Sequence, residues 1–434
     1  MFIKQRSFLL IIFIFSNTLS AQNPGTGKSL LYHFGNKHAK NAISITNARP
    51  FQNGGYGFDF ETAEKVSVEE NAILAKESVY FSITIPEGNY KVEVQLGSDN
   101  ATTCNTVKVE SRRVMISEEK VKAGQSINRS FTVEVKSAQI NSEETVKLKD
   151  REKAALNWDK KLTFEFAKGT AIQQLTITKQ DTVNALFLAG DSTVTDQDLS
   201  PWASWGQFIT QYFNDGVVVA NYASSGASLA SFKGRKRWDK ILSLIKKGDY
   251  VMIEFGHNDE KRKGENDGPW QSYTDLLKEY VISARKKGAN PILVTPTQRR
   301  SFKGDGTLNE THGDYPDAMR KVALELHVPL IDLTKMTTRL YEAWGDEESR
   351  NAFVQYPAHT FPGQEKKLED NTHFNDFGAN EIALCVVKGI KETAVGLEKY
   401  LIKTQEYSPE NPNYVKNWTL PISPRFEATK PDGN

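Results

Sequence analysis

Ala185-Leu186-Phe187-Leu188-Ala189-Gly190-Asp191-Ser192-Thr193-Val194 decides the fold of this chain. An apolar run of strand length stops abruptly at Gly-Asp-Ser. Three later stretches rich in reactive side chains also fall just after an apolar run or just before a helical one. An open parallel sheet gathers its functional loops at the carboxyl ends of its strands. A serine at the first such end therefore meets groups delivered by later strand-helix units, which makes Ser192 the candidate nucleophile. Asp and Ser also favour turns and helix caps, so Gly-Asp-Ser-Thr gains its meaning only from its company.

Outward from this stretch, apolar strand candidates recur at 217–221, 250–254, 291–295 and 329–332. They are separated by helical patterns at 202–213, 237–246, 271–287, 315–326 and 376–391. Five such units predict a three-layer α/β domain with a parallel, flavodoxin-like sheet over residues 181–400. Upstream, residues 22–180 show short strand-like runs between Gly, Asn and Pro turns, which predicts an all-β sandwich of galactose-binding-like type. Runs 80–85 and 90–96, joined by Pro86-Glu87-Gly88-Asn89, read as a β-hairpin; 130–135, 162–166 and 173–178 are further strands. The charged insertion 143–157 reads as a solvated loop. Residues 401–434, rich in Pro and Asn, read as a tail draped over the surface.

The 434 residues suit two domains, with 38% apolar residues to build their cores. A net charge of +1 gives no global attraction to nucleic acid or to acidic membranes. Residues 1–21 have signal-peptide layout: Lys4 and Arg6 precede an apolar run from Phe8 to Phe15 that is too short to span a bilayer. The expectation is export to the periplasm or the cell exterior, with no membrane span. Cys104 and Cys385 exclude a disulfide framework, and Cys385 reads as a buried helix face.

Strand two runs into Ser224-Ser225-Gly226-Ala227-Ser228, strand three into Gly256-His257-Asn258-Asp259, and Asp370-Asn371-Thr372-His373 precedes the last helix. Acyl transfer needs an activated serine, a base, a group orienting the base, and donors aimed at the oxyanion. His373 is the base and Asp370 its orienter, both presented from one short turn. The amides of Ser192 and Gly226 and the Asn258 carboxamide are the oxyanion donors. Asp191 and Asp259 read as loop braces.

These four blocks, in this order, resemble those of the SGNH (GDSL) hydrolases over about half of the chain. Trp205-Gly206-Gln207, Gly234-Arg235-Lys236-Arg237-Trp238-Asp239 and His312-Gly313-Asp314-Tyr315-Pro316 further resemble the rhamnogalacturonan acetylesterases. The resemblance implies deacetylation of a pectic oligo- or polysaccharide without metal or organic cofactor. It also implies that the N-terminal β-sandwich is accessory. One departure stands out: Ala227-Ser228-Leu229 occupies the place where that family carries Gly-Arg-Ser.

Local cations compensate in this reading. Arg235, with Lys233, Lys236 and Arg237, and Arg299, with Arg300, are assigned to galacturonate carboxylates. Trp202 and Trp270 are assigned to sugar stacking, and Trp205 to packing. Tyr32, Tyr56 and Trp158 are the aromatic candidates for carbohydrate binding by the sandwich. Alternatives are an esterase for another acylated glycan such as xylan, or an exported glycan-binding protein without turnover. Two further readings fit less well. Gly226-Ala227-Ser228-Leu229-Ala230 lacks the last Gly of a G-x-S-x-G elbow, and a metallophosphoesterase needs more ligands than the His and Asp residues supply.

Overall fold

The computed structural model describes residues 29–37, 40–403 and 406–432. The leader at 1–21, and with it the expectation of export, lies outside the described residues.

Five strands, Asn184–Gly190, Val217–Asn221, Tyr250–Glu254, Asn290–Val294 and Leu330–Ile331, form one sheet in the spatial order second, first, third, fourth, fifth. Each neighbouring pair runs parallel. Alternate residues feed two separate cores: Leu186, Leu188, Val219, Met252 and Ile292 on one face, and Phe187, Ala189, Val218, Val251 and Leu293 on the other. Burial on both faces is why these strands are apolar at successive positions. Helices Leu333–Ser349 and Asp376–Thr393 cover the first face; Arg237–Leu244, Thr274–Lys286 and Tyr315–Glu325 cover the second. In this strand order the direction of winding reverses between the first and third strands, the place where such sheets bind ligands at the strands' carboxyl ends.

Upstream, two sheets enclose one core that includes Tyr32, Phe81, Val92, Val107, Phe131, Phe164 and Leu175. The expected hairpin is absent. Val79–Thr84 pairs with Lys161–Phe166 and Tyr56–Asp59 in one sheet, whereas Gly88–Leu96 pairs with Ile127–Val135 and Ala171–Lys179 in the other. The turn at Pro86 and Glu87 therefore crosses between sheets. Val79 to Ile83 are all buried, so no solvent face marks which sheet they join.

Two other expectations change. The charged insertion is only in part a solvated loop: it contains the largely exposed turn Asp150–Lys153 and then the 3-10 turn Leu156–Trp158, with Leu156 and Asn157 buried. Its Glu152 pairs with the fully buried Arg237, which needs a counter-charge there. The C-terminal segment is not merely draped. Ser423 is buried and bonds Glu165 and Lys108 of the N-terminal half, and the Ser200 and Glu427 amides exchange bonds across Arg425 and Ser200 at 2.8 and 2.9 Å.

Candidate active site

Gly190 ends the first strand where a larger residue has no room, since a Cβ there would stand 2.5 Å from Val194 and 3.0 Å from the Glu254 carbonyl. The chain therefore turns sharply into Asp191 and Ser192. Asp191 Oδ1 accepts the Thr193 amide at 3.0 Å, so it braces its own loop. Asp259 accepts the Leu229 amide at 3.0 Å, tying the third loop to the second. Burial pushes the Asp259 carboxyl well above the usual carboxylate range.

Asp370 and His373 do not come from a turn. They lie within the strand Leu368–Phe374, paired antiparallel with Phe353–Tyr356. Phe353 faces Phe374 and Gln355 faces Glu369, so residues 370–373 stand opposite Val354 alone. Such a bulge turns side chains three apart toward one side. Asp370 Oδ1 holds it by accepting the Thr372 and His373 amides at 2.7 and 2.8 Å.

The bulge completes a chain of hydrogen bonds. His373 Nδ1 donates to Asp370 Oδ2 at 2.8 Å, and Ser192 Oγ donates to His373 Nε2 at 2.9 Å. All three residues are buried. Burial alone would raise the Asp370 carboxyl, but the bonds from the His373 ring and from the two amides outweigh it and hold the group well below the usual carboxylate range. Asp370 is therefore ionised when His373 needs a charged partner.

Gly226 has φ of +72°, the left-handed conformation that favours glycine. Among the described residues no acceptor engages the Ser192 or Gly226 amide. Asn258 donates one N–H to the Ala227 carbonyl at 3.2 Å, and a carboxamide carries a second. The Gln197 carboxamide donates to the Ser192 carbonyl at 2.9 Å and to Ser225 Oγ at 3.2 Å. Its sequence signal is only nearness to Ser192.

The cations assigned to substrate have partners within the chain. Arg299 pairs with Glu260, Arg300 is buried against Asp346 and Asn371, Arg237 is buried against Glu152, and Lys236 pairs with Glu144. Lys233 pairs with Glu279 at 2.6 Å, and Arg235 donates to the Lys147 carbonyl at 3.2 Å. Trp202 is 3% exposed and donates to the Glu427 carbonyl, with its ring edge-on to His373 at 5.7 Å. It shapes the histidine's pocket and offers no open face to a sugar. Trp205 is buried and donates to Glu254, whereas Trp270 is 46% exposed beneath Lys321. In the N-terminal half Tyr32 belongs to the core, and Trp158 packs edge-on to Tyr222 with Arg237 over its ring.

Two buried groups against the serine loop have no role assigned by the sequence. His257 stands 3.6 Å from Asp191, too far for a hydrogen bond. Burial lowers its imidazole to about 4 against the pull of the Asp191 charge, so it stays neutral. Glu254 is pushed up to about 8 by burial and by Asp191. Among the described residues no three His, Cys, Asp or Glu side chains come together to hold a metal ion, and no helix is long and apolar enough to cross a membrane.

The family described as GDSL-like lipase/acylhydrolase matches residues 188–380. Rhamnogalacturonan acetylesterase RhgT of Bacillus subtilis is 44% identical over 222 residues, which cover 51% of this chain and 95% of the relative. A probable rhamnogalacturonan acetylesterase of the same organism, YesY, is 36% identical over 223 residues, 51% of this chain and 98% of the relative. The crystal structure of protein YxiM from Bacillus subtilis aligns with 85% of this chain and 99% of its own, at 23% identity and a TM-score of 0.45.

Proposed function

The chain belongs to the GDSL-like lipase/acylhydrolase family and is a carboxylic ester hydrolase, and from that premise we propose a serine mechanism that removes acetyl groups from a pectic polysaccharide. Ser192 attacks the ester carbonyl while His373 takes its proton, and Asp370 stabilises the imidazolium that results. The Ser192 and Gly226 amides and the free N–H of Asn258 receive the oxyanion. His373 then gives the proton to the departing sugar hydroxyl, and water releases acetate from the acyl-enzyme by the same steps in reverse.

One observation carries the mechanism: the unbroken bond chain from Ser192 Oγ through His373 to Asp370, at 2.9 and 2.8 Å. The substrate class is supported by the 44% identity to a rhamnogalacturonan acetylesterase. In this reading residues 22–180 are a β-sandwich accessory domain, 181–400 the catalytic domain and 401–434 a C-terminal segment, and residues 1–21 direct export.

Acetate release from acetylated rhamnogalacturonan, acetylated xylan and a short aryl acetate, by the natural chain and by Ser192→Ala, tests both parts. Release from the pectic polymer, abolished by the substitution and insensitive to chelator, is expected. Preference for xylan would keep the mechanism and overturn the substrate. Equal release by the two proteins would overturn the mechanism.

A further inference from the structure

We infer that Lys430, carried by the C-terminal segment, is a positioning residue for ester hydrolysis: its ammonium fixes the Asp370 carboxylate against His373 and offsets part of that carboxylate's charge. The inference rests on the roles proposed above for Ser192, His373 and Asp370.

Lys430 Nζ stands 3.1 Å from Asp370 Oδ2, the oxygen that also accepts the His373 ring at 2.8 Å. The segment bearing Lys430 is anchored on both sides. Before it, the Glu427 amide donates to the Ser200 carbonyl at 2.9 Å, and the Glu427 carbonyl accepts the Trp202 indole at 2.9 Å. After it, Asp432 pairs at 2.8 Å with Lys149, whose ammonium also reaches the Ser225 carbonyl. The same strap thus touches the histidine's pocket, the histidine's carboxylate and the loop next to Gly226. It lies outside the stretch shared with the family, 188–380.

The consequence is electrostatic. Asp370 stabilises the imidazolium, and a cation on the same oxygen weakens that stabilisation, so removing the cation alone strengthens it. Other charges surround the pair: Asp191 beside His257 on the serine loop, Lys261 on the third loop, Arg300 bonded to Asn371, Asp376 paired with Arg112 at 2.6 Å, and Asp432 on the strap itself. Each is unchanged by a substitution at 430, so a displaced pH profile reports on Lys430.

The test is the pH dependence of kcat/KM for the full chain, Lys430→Met and Lys430→Arg on an uncharged aryl acetate, with unfolding midpoints measured in parallel. Lys430→Met is expected to move the acid limb upward by roughly half to one pH unit, a loss of about three- to tenfold on the acid side that shrinks at higher pH. Lys430→Arg restores the limb. A limb that does not move, or an equal loss at every pH in both variants, overturns the inference. Ser192→Ala measured alongside separates the two levels. If it is inactive while Lys430→Met follows the natural profile, only the role of Lys430 falls; if it is fully active, the serine mechanism falls with it.

Discussion

Thr193 Oγ1 stands 3.0 Å from Asp191 Oδ1 and 3.0 Å from Glu254 Oε1, and a hydroxyl has one proton to give. Both contacts are satisfied when a protonated Glu254 donates a hydrogen bond to Thr193 Oγ1, which donates its own to Asp191 Oδ1. This agrees with the Glu254 carboxyl being pushed up to about 8 by burial. Because the folded proton affinity is raised, the stability this acid contributes is complete below pH 4.5 and lost as pH rises through about 8. Glu254→Gln, neutral at every pH, is expected to flatten that decline in thermal unfolding measured across the interval; an unchanged slope would mean that Glu254 is ionised in the fold. At the oxyanion, Asn258→Ala is expected to lower kcat by roughly 10²–10³ with little change in KM, read from steady-state kinetics. A rise in KM with kcat intact would assign Asn258 to ground-state binding.

At the scale of the element, the parallel strands were legible because both of their faces are buried: 217–221 and 250–254 were predicted at their observed limits. The strand carrying Asp370 and His373 was not. Its bulge exposes Asp-Asn-Thr to local bonding and breaks the alternation that marks a strand, so the two functional residues were readable while their element was not. The helix Leu333–Ser349 is not legible either, because Thr337 and Thr338, whose hydroxyls bond back to the preceding turn, and Thr334, whose hydroxyl bonds the Pro296 carbonyl, blur its apolar periodicity. Gly190 gives the sharpest element-level prediction. Gly190→Ala drives a methyl against Val194 and the Glu254 carbonyl, with an expected cost of about 1–3 kcal/mol and a displaced serine loop. Chemical denaturation and aryl acetate turnover, measured together, check it; an unaffected rate would show that the loop can move aside.

For the whole molecule, Val217–Asn221 is an edge strand of the parallel sheet, and an open edge is a liability. The N-terminal half closes it residue by residue. Thr132 donates to the Val217 carbonyl at 2.6 Å, Arg113 to that of Val219 at 3.3 Å, and Lys136 to that of Asn221. Arg113 and Asp196 form a fully buried ion pair across the same seam. Arg113→Met leaves Asp196 short of a partner and is expected to cost roughly 3–5 kcal/mol in unfolding measurements. A near-zero cost would mean that Lys136, Asn157 and Asn221 satisfy Asp196 without Arg113. No local pattern announced this seam or the strap that ends at Asp432, because their partners lie far apart in the chain: Lys430 meets Asp370, and Arg113 meets Val219.

The most direct test of the central claim is to quench the enzyme during turnover of an aryl acetate and locate the acetyl group by peptide mass spectrometry. The serine mechanism predicts acetyl on Ser192, absent from Ser192→Ala. Turnover with Ser192 unmodified, or acetyl carried by another residue, would contradict it.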